Sequence, residues 1–289
     1  PSLAHVDQAT GLRVRKVKPQ RYEKQTPGEL VHVDIKKLGR IPDGGGWRKL
    51  GAAGRRNSSK RTPMGYAFLH HAVDDHSRLA YSEILGDERK ETAAAFWRRA
   101  NTFFANAGIT GAPGLPGEAD WDLAIDVNLR SHIRAAQLLI PEWVRRGEGY
   151  FVSTASAAGL LTQLGGATYA VTKHAAVGFA EWLNITYGDQ GIRVSCLCPM
   201  GVNTKLLYAG EESGDPLGDL ATRAVTTAGE VLEPADVAAE VLAAVDDERF
   251  LILPHPAVLE MFRHKAGDYD RWLRGMRRYQ RGLLDSEKS

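Results

Sequence analysis

Apolar and polar positions repeat in two different ways along this chain, and the changeover falls near residue 103. Before it, "LVHVDIKKL" (30–38), "GYAFLHHAVDD" (65–75) and "RLAYSEIL" (78–85) have the alternation and composition of strands. A polar, Gly-rich loop (43–63) joins the first two, and Asp74-Asp75-His76-Ser77 turns the chain between the second and third. "ERKETAAAFWRRANTFF" (88–104) reads as a helix, with Ala95, Phe96, Arg99 and Phe103 at roughly helical spacing. Beyond it, "FFANAG" reads as a short buried strand and 118–147 as a long amphipathic helix with Trp121, Ile125, Asn128 and Leu129 on one flank. Strand patterns then cover 149–159, 192–204 (broken at Pro199) and 249–256. Helix patterns cover 165–191, stopping at Gly191, and part of 227–247. Strands alternating with helices of this length imply an α/β fold with a parallel sheet covered on both faces.

Charge sharpens the division. Residues 1–100 hold 20 Lys/Arg against 11 Asp/Glu, a net +9, and residues 101–289 hold 17 against 24, a net −7. A basic half favours a polyanionic partner and an acidic half does not. The segment 1–29 is basic and poorly patterned, and reads either as a solvated tail or as a nucleic-acid arm. No apolar run reaches the roughly 18 residues of a membrane span. The chain starts at Pro1 with no basic flank before an apolar stretch, so no signal peptide is expected and the predicted location is cytoplasmic. The two cysteines, Cys196 and Cys198, share one face of a predicted strand; buried reduced thiols are expected over bridging or metal binding.

Candidate chemistry lies in the second half. Tyr169 and Lys173 are one helical turn apart. An ammonium beside a phenol favours phenolate, which would lower the Tyr169 pKa and make it a general acid/base. Ser156 ends the strand before that helix, where its hydroxyl can polarise a carbonyl. In the first half, His70, His71, Asp74, Asp75 and His76 could suggest a metal site, but adjacent strand residues face opposite sides and a surface turn is expected.

Two resemblances follow from longer stretches. "RYEKQTPGELVHVDIKKLGRIPDGGGWR" and "GYAFLHHAVDDHSRLAYSEILGDERKETAAAFWRRA", about residues 20–105, resemble the ribonuclease-H-like integrase core of insertion-sequence transposases. That family holds metal with three carboxylates. Asp34 matches the first, and the other two have no counterpart, so Asp34 is expected to be a lone remnant with no bound metal and no strand transfer. Asn106-Ala107-Gly108, Asn128 in "DVNL", Ser156 in "STASAAG", Tyr169 and Lys173 in "YAVTK", and Pro199, Val202 and Thr204 occur in order. That set resembles the short-chain dehydrogenase/reductase family over residues 103 to about 260. The resemblance implies a catalytic tetrad of Asn128, Ser156, Tyr169 and Lys173. Asn128 would hold a water in a proton relay, Ser156 would orient substrate, and Lys173 would bind the nicotinamide ribose. Asn106, Ala107, Gly108, Tyr169, Pro199, Val202 and Thr204 would line the cofactor. The family's Pro-Gly pair reads Pro199-Met200 here, with Gly201 one place late.

The resemblance places the cofactor's pyrophosphate on a first strand–Gly turn–helix unit, and this chain has transposase-like sequence there. "GAAG" (51–54) and "GLPG" (114–117) read as loops. The full expectation is a partial Rossmann-like parallel sheet preceded by a three-strand antiparallel ribonuclease-H-like fragment. Its divisions are a basic arm (1–29), a truncated integrase core (30–102) and a truncated dehydrogenase domain (103–289), with 30–38 pairing with 103–107. The expected function is hydride transfer between NAD or NADP, weakly bound, and a small alcohol or carbonyl, impaired or inactive for want of the pyrophosphate half. The alternative is a DNA-binding transposase remnant without catalysis, making weak nucleic-acid contact through the basic N-terminal part. Residues 205–225 would form a mobile substrate lid, and 260–284 C-terminal helices. No membrane partner is expected, and the helices 118–147 and 165–187 would support a homo-oligomer.

Overall fold

A computed structural model describes residues 31–40, 65–74 and 80–286. The arm 1–29, the loop 43–63 with its "GAAG", and the turn residues 75–77 lie outside the described residues. The chain divides into two compact units, Pro1–Phe96 and Trp97–Ser289.

In the first unit, β1 (Val31–Gly39), β2 (Tyr66–Asp74) and β3 (Ala80–Leu85) form an antiparallel sheet in that order. Asp34 lies opposite His71, which lies opposite Ser82. β1 is exposed along most of its length, and the buried centre is small: His70, Ala72 and Phe96. Phe96 comes from helix α1 (Lys90–Ala100) and its ring meets those of His70 at 5.4 Å and Tyr81 at 5.7 Å. His70 faces inward, bonding the Asp87 carbonyl through Nε2, whereas His71 bonds Ser82 on the partly exposed face. The pair therefore splits across the sheet as strand geometry requires.

The second unit contains the parallel sheet, in the order β4-β5-β6-β9. Its strands are β4 (Thr102–Ala105), β5 (Gly149–Thr154), β6 (Ile192–Leu197) and β9 (Leu251–Ile252). Between β4 and β5 runs α2 (Glu118–Ile125), one π-turn (Asp126–Arg130) and α3 (Ser131–Arg146). Between β5 and β6 come α4 (Ala158–Leu161) and α5 (Ala167–Tyr187). A parallel pair, β7 (Gly201–Val202) with β8 (Val231–Leu232), flanks α6 (Lys205–Glu212) and α7 (Pro216–Thr226). The remaining helices are α8 (Pro234–Asp246), α9 (Ala257–Gly267) and α10 (Tyr269–Asp285).

Both faces of this sheet are buried. Phe151, Val194, Cys196 and Cys198 share a cluster with Ile140 and Trp143 of α3 and Ala176, Val177 and Leu183 of α5. Tyr150, Val152 and Leu197 pack on the other face against Val237, Val241 and Val245 of α8. Neighbours along a strand thus feed opposite cores. Both cysteines are buried and free, with sulfurs 3.8 Å apart. The helix stop at Gly191 has φ +83°, and a Cβ there would lie 1.9 Å from the Gly147 carbonyl oxygen, so only glycine fits.

Several sequence expectations are corrected. Residues 30–38 do not pair with 103–107: among the described residues β1 pairs with β2 alone and β4 with β5 alone. An antiparallel meander satisfies its backbone locally, while β4 gains its partner through the helical crossover that follows it. The strand expected at 149–159 ends at Thr154, because Ser156 starts a turn by accepting from Ala158 N–H. The strand expected at 192–204 ends at Leu197, just before Pro199. The segment 205–225, expected as a substrate lid, carries α6 and most of α7, which leaves that expectation standing.

Candidate active site

β4, β5 and β6 are parallel, so their C-terminal ends open on the same edge of the sheet. In an open α/β sheet, ligands bind at that edge. Asn106 and Ala107, just past β4, are exposed there, and Gly108 is half-buried. A Cβ on Gly108 would stand 3.4 Å from Lys173 Nζ and 3.5 Å from Asn128 Oδ1, ordinary contact distances, so the loop after β4, the π-turn and α5 meet at this point.

Asn128 sits in the π-turn of the long helix, fully buried. Such turns are rare and concentrate at functional sites. Its Oδ1 accepts from Ile109 N–H at 2.8 Å, and its Nδ2 donates to the Ile109 carbonyl at 2.9 Å and Thr172 Oγ1 at 3.0 Å. Both side-chain donors are therefore committed to protein. Asn128 clamps the loop after β4 onto α5; the expected water-holding role does not fall to its Nδ2.

Ser156 follows β5 and is nearly buried. Its hydroxyl bonds the Tyr169 phenol, and burial pushes that phenol above its ordinary value despite the bond. Lys173 is almost fully buried on α5. Its Nζ donates to the Thr154 carbonyl at 2.9 Å and stands 5.6 Å from the Tyr169 ring centroid. Burial lowers the Lys173 pKa from 10.5 to about 8. The expectation that Lys173 lowers the Tyr169 pKa is thus corrected. The ammonium points at a carbonyl and the ring face, and burial disfavours the charged form of both groups.

The Pro199–Val202 loop is ordered by a residue the sequence reading missed. Buried His255 accepts from Met200 N–H at Nδ1 (3.2 Å) and donates from Nε2 to the Gly201 carbonyl (3.0 Å). The Pro199 carbonyl accepts from Ala157 N–H at 2.8 Å, which ties the loop to Ser156's turn. The shifted glycine is therefore accommodated in an ordered loop. Thr204 stands apart: it is exposed, and its hydroxyl bonds the Val202 carbonyl at 3.3 Å. His132 on α3 was also missed. It is fully buried, bonds Ser153 Oγ through Nδ1 at 3.0 Å, and leaves Nε2 without a partner. Burial first, and the Lys173 charge second, lower its pKa to about 4. Only long-range packing reveals either histidine.

Among the described residues no cluster of three metal-ligating side chains occurs. Asp34, the remnant carboxylate, lies exposed in the first unit, 3.9 Å from Lys36 Nζ. No helix among the described residues is long and apolar enough to cross a membrane.

Residues 87–213 match the family model of short chain dehydrogenase. An uncharacterized oxidoreductase of Listeria innocua is 31% identical over 121 residues, covering 40% of this chain and 49% of that protein. Tropinone reductase-like 1 of Erythroxylum coca is 27% identical over 168 residues, covering 56% of this chain and 62% of that protein. A crystal structure of a short-chain dehydrogenase/reductase from Burkholderia phymatum in complex with NAD shares 29% identity. It covers 59% of this chain and 66% of that one, with a TM-score of 0.51. Over residues 87–213 the chain is similar to the short-chain dehydrogenase/reductase family. It spans about half to three fifths of the length of these curated relatives. The match begins upstream of the boundary expected at 103, so α1 falls inside it. Within the second unit, the last turn of α1 is anchored by Arg99 Nη1, 3.1 Å from both carboxylate oxygens of Asp246 on α8.

The similarity implies a nicotinamide dinucleotide. At the nicotinamide-ribose end, the cradle at Gly108, the buried Lys173 and the Tyr169–Ser156 pair fit. In the first unit, Gly86-Asp87 lies between β3 and α1. The Asp87 carboxylate accepts from Arg89 N–H at 3.1 Å, and bonds from Thr92 and Arg89 hold its pKa down. Among the described residues no glycine-rich turn seats a pyrophosphate.

Proposed function

We propose that the second unit is an oxidoreductase core of short-chain dehydrogenase/reductase type that keeps the proton-handling and nicotinamide half of its site and binds NAD or NADP weakly. The observation that carries this is the convergence of Gly108, Asn128 and Lys173 beside the Tyr169–Ser156 pair at the C-terminal edge of the sheet. The nucleotide, when bound, supplies or accepts a hydride. Lys173 would hold its ribose, with Asn106 and Ala107 beside it and the Pro199–Val202 backbone at its carboxamide. Ser156 would donate to the substrate oxygen, and Tyr169 would pass it a proton. In carbonyl reduction Tyr169 would give its phenolic proton to the substrate oxygen, and in alcohol oxidation it would take that proton back.

The test is NADH and NADPH oxidation with ketones by the full chain. Turnover is expected to be slow and to saturate only at high nucleotide. Tyr169→Phe should reduce it by about 10²–10⁴-fold. Turnover unchanged by Tyr169→Phe would reject the reading.

The exposed apolar side chains Leu138 on α3 and Val171, Trp182 and Ile185 on α5 favour a homo-oligomer built through those helices. A second reading, weak nucleic-acid contact by the first hundred residues, is favoured by their net +9 and by exposed Lys36, Lys37 and Arg40 on and beside β1. DNA affinity that falls steeply with salt would support it.

A further inference from the structure

A cavity of about 330 Å³ adjoins Ser156, and its far wall is built from the C-terminal helix. That volume lies at the small end for ligand sites, and holds roughly ten water-sized groups. Trp272, Met276 and Tyr279 of α10 line it at spacings of four and three, one stripe of a helix. Met200 and Met261 add two more flexible apolar side chains.

The wall is fixed in place. The Tyr279 hydroxyl donates to the Ala224 carbonyl at 2.9 Å and meets Thr227 Oγ1 at 2.7 Å. Arg223 Nη2 donates to the Leu283 carbonyl at 2.7 Å. These bonds fasten α10 to α7. They also commit the polar groups of the lining: Gln163 Nε2 donates to the carbonyls of Leu164 and Ala221, and Thr227 to that of Arg223. Among the described residues no charged side chain lines the cavity. Ser156 Oγ makes only a long 3.4 Å bond to the Pro199 carbonyl besides its turn and Tyr169 bonds, so a carbonyl oxygen can compete for its proton.

We infer that the substrate is an uncharged, bulky ketone or secondary alcohol whose carbon body rests against α10, with Trp272 and Met276 setting its size and polarity. This rests on the hydride-transfer reading above. The determining residues lie beyond the 87–213 family match. A charged substrate body is excluded because it would be buried there without a partner.

The test separates binding from turnover. Calorimetric titration of the full chain with 2-decalone, a neutral bicyclic ketone, is set beside 4-oxopentanoate, a charged ketone of smaller body. Decalone should bind at least about tenfold more tightly, with a negative heat-capacity change. Met276→Glu should weaken decalone at least about tenfold, and the near-isosteric Met276→Gln by less. Equal or tighter binding of 4-oxopentanoate overturns the inference, and so does decalone affinity unchanged in a Met276 variant that melts cooperatively. If neither variant folds, the comparison of the two ketones on the unaltered chain decides. Decalone binding that depends on Met276, without NADH or NADPH oxidation, upholds the cavity and rejects the hydride-transfer reading instead.

Discussion

The two sheets of this protein show opposite ways of using apolar residues. In β5, five of six residues are buried, and the strand feeds a core on each face. In the three-stranded sheet, Val33, Leu38, Tyr66 and Ile84 are all exposed, and the buried centre reduces to His70, Ala72 and Phe96. A parallel sheet must be covered on both faces, so its strands read as continuous apolar runs. An antiparallel meander can leave one face to solvent, and its strands then specify pairing without specifying a deep core. Stability should therefore concentrate in the second unit, and with it the fixed geometry that a catalytic site needs.

Substitution should expose that contrast most clearly in denaturant unfolding. Phe151→Ala, at a fully buried position, is expected to cost about 3–5 kcal/mol, whereas Ile84→Ala, at 68% exposure, should stay within about 0.5 kcal/mol. Equal costs would break the comparison.

Acid gives the next largest effect. The His132 pKa of about 4 lies below the unfolded value of 6.5, so the folded state holds fewer protons across that window. Its contribution to stability is present above pH 6.5 and falls by roughly 3 kcal/mol as pH drops to 4. His132→Gln should flatten the stability–pH curve there; an unaltered slope would contradict the burial argument. Arg99→Met should follow, costing about 1 kcal/mol or less because the exposed Asp246 carboxylate is left to water, measured by the same unfolding. Smallest in stability, within about 0.5 kcal/mol, is Ile185→Asp, at 82% exposure. Light scattering after size exclusion should nonetheless show it reducing the mass of the oligomer.

The elements of the second unit were readable where local chemistry decides. Apolar runs marked β5 and β6, and Gly191 marked the end of α5 because no side chain fits there. Residues sharing a helix or a strand end, such as Tyr169, Lys173 and Ser156, were legible for the same reason. Strand order was not: periodicity places 31–39 on a strand but carries no information on its partner, and the expected pairing with 103–107 failed. Tyr169 and Lys173 were located, yet the direction of the phenol's shift was missed, since burial is set by distant packing. His255 was invisible for a related reason: it organises Met200 and Gly201 from over fifty residues away.

The account turns on a nicotinamide seat without a pyrophosphate seat, and nucleotide titration reads that directly. Reduced nicotinamide mononucleotide, NADH and NADPH are titrated into the full chain by calorimetry at pH 7, below the Lys173 pKa of about 8. The account predicts that the dinucleotides bind no more than about tenfold more tightly than the mononucleotide, and that Lys173→Met weakens all three. A dinucleotide held about a thousandfold more tightly than the mononucleotide would show a working pyrophosphate site and contradict it.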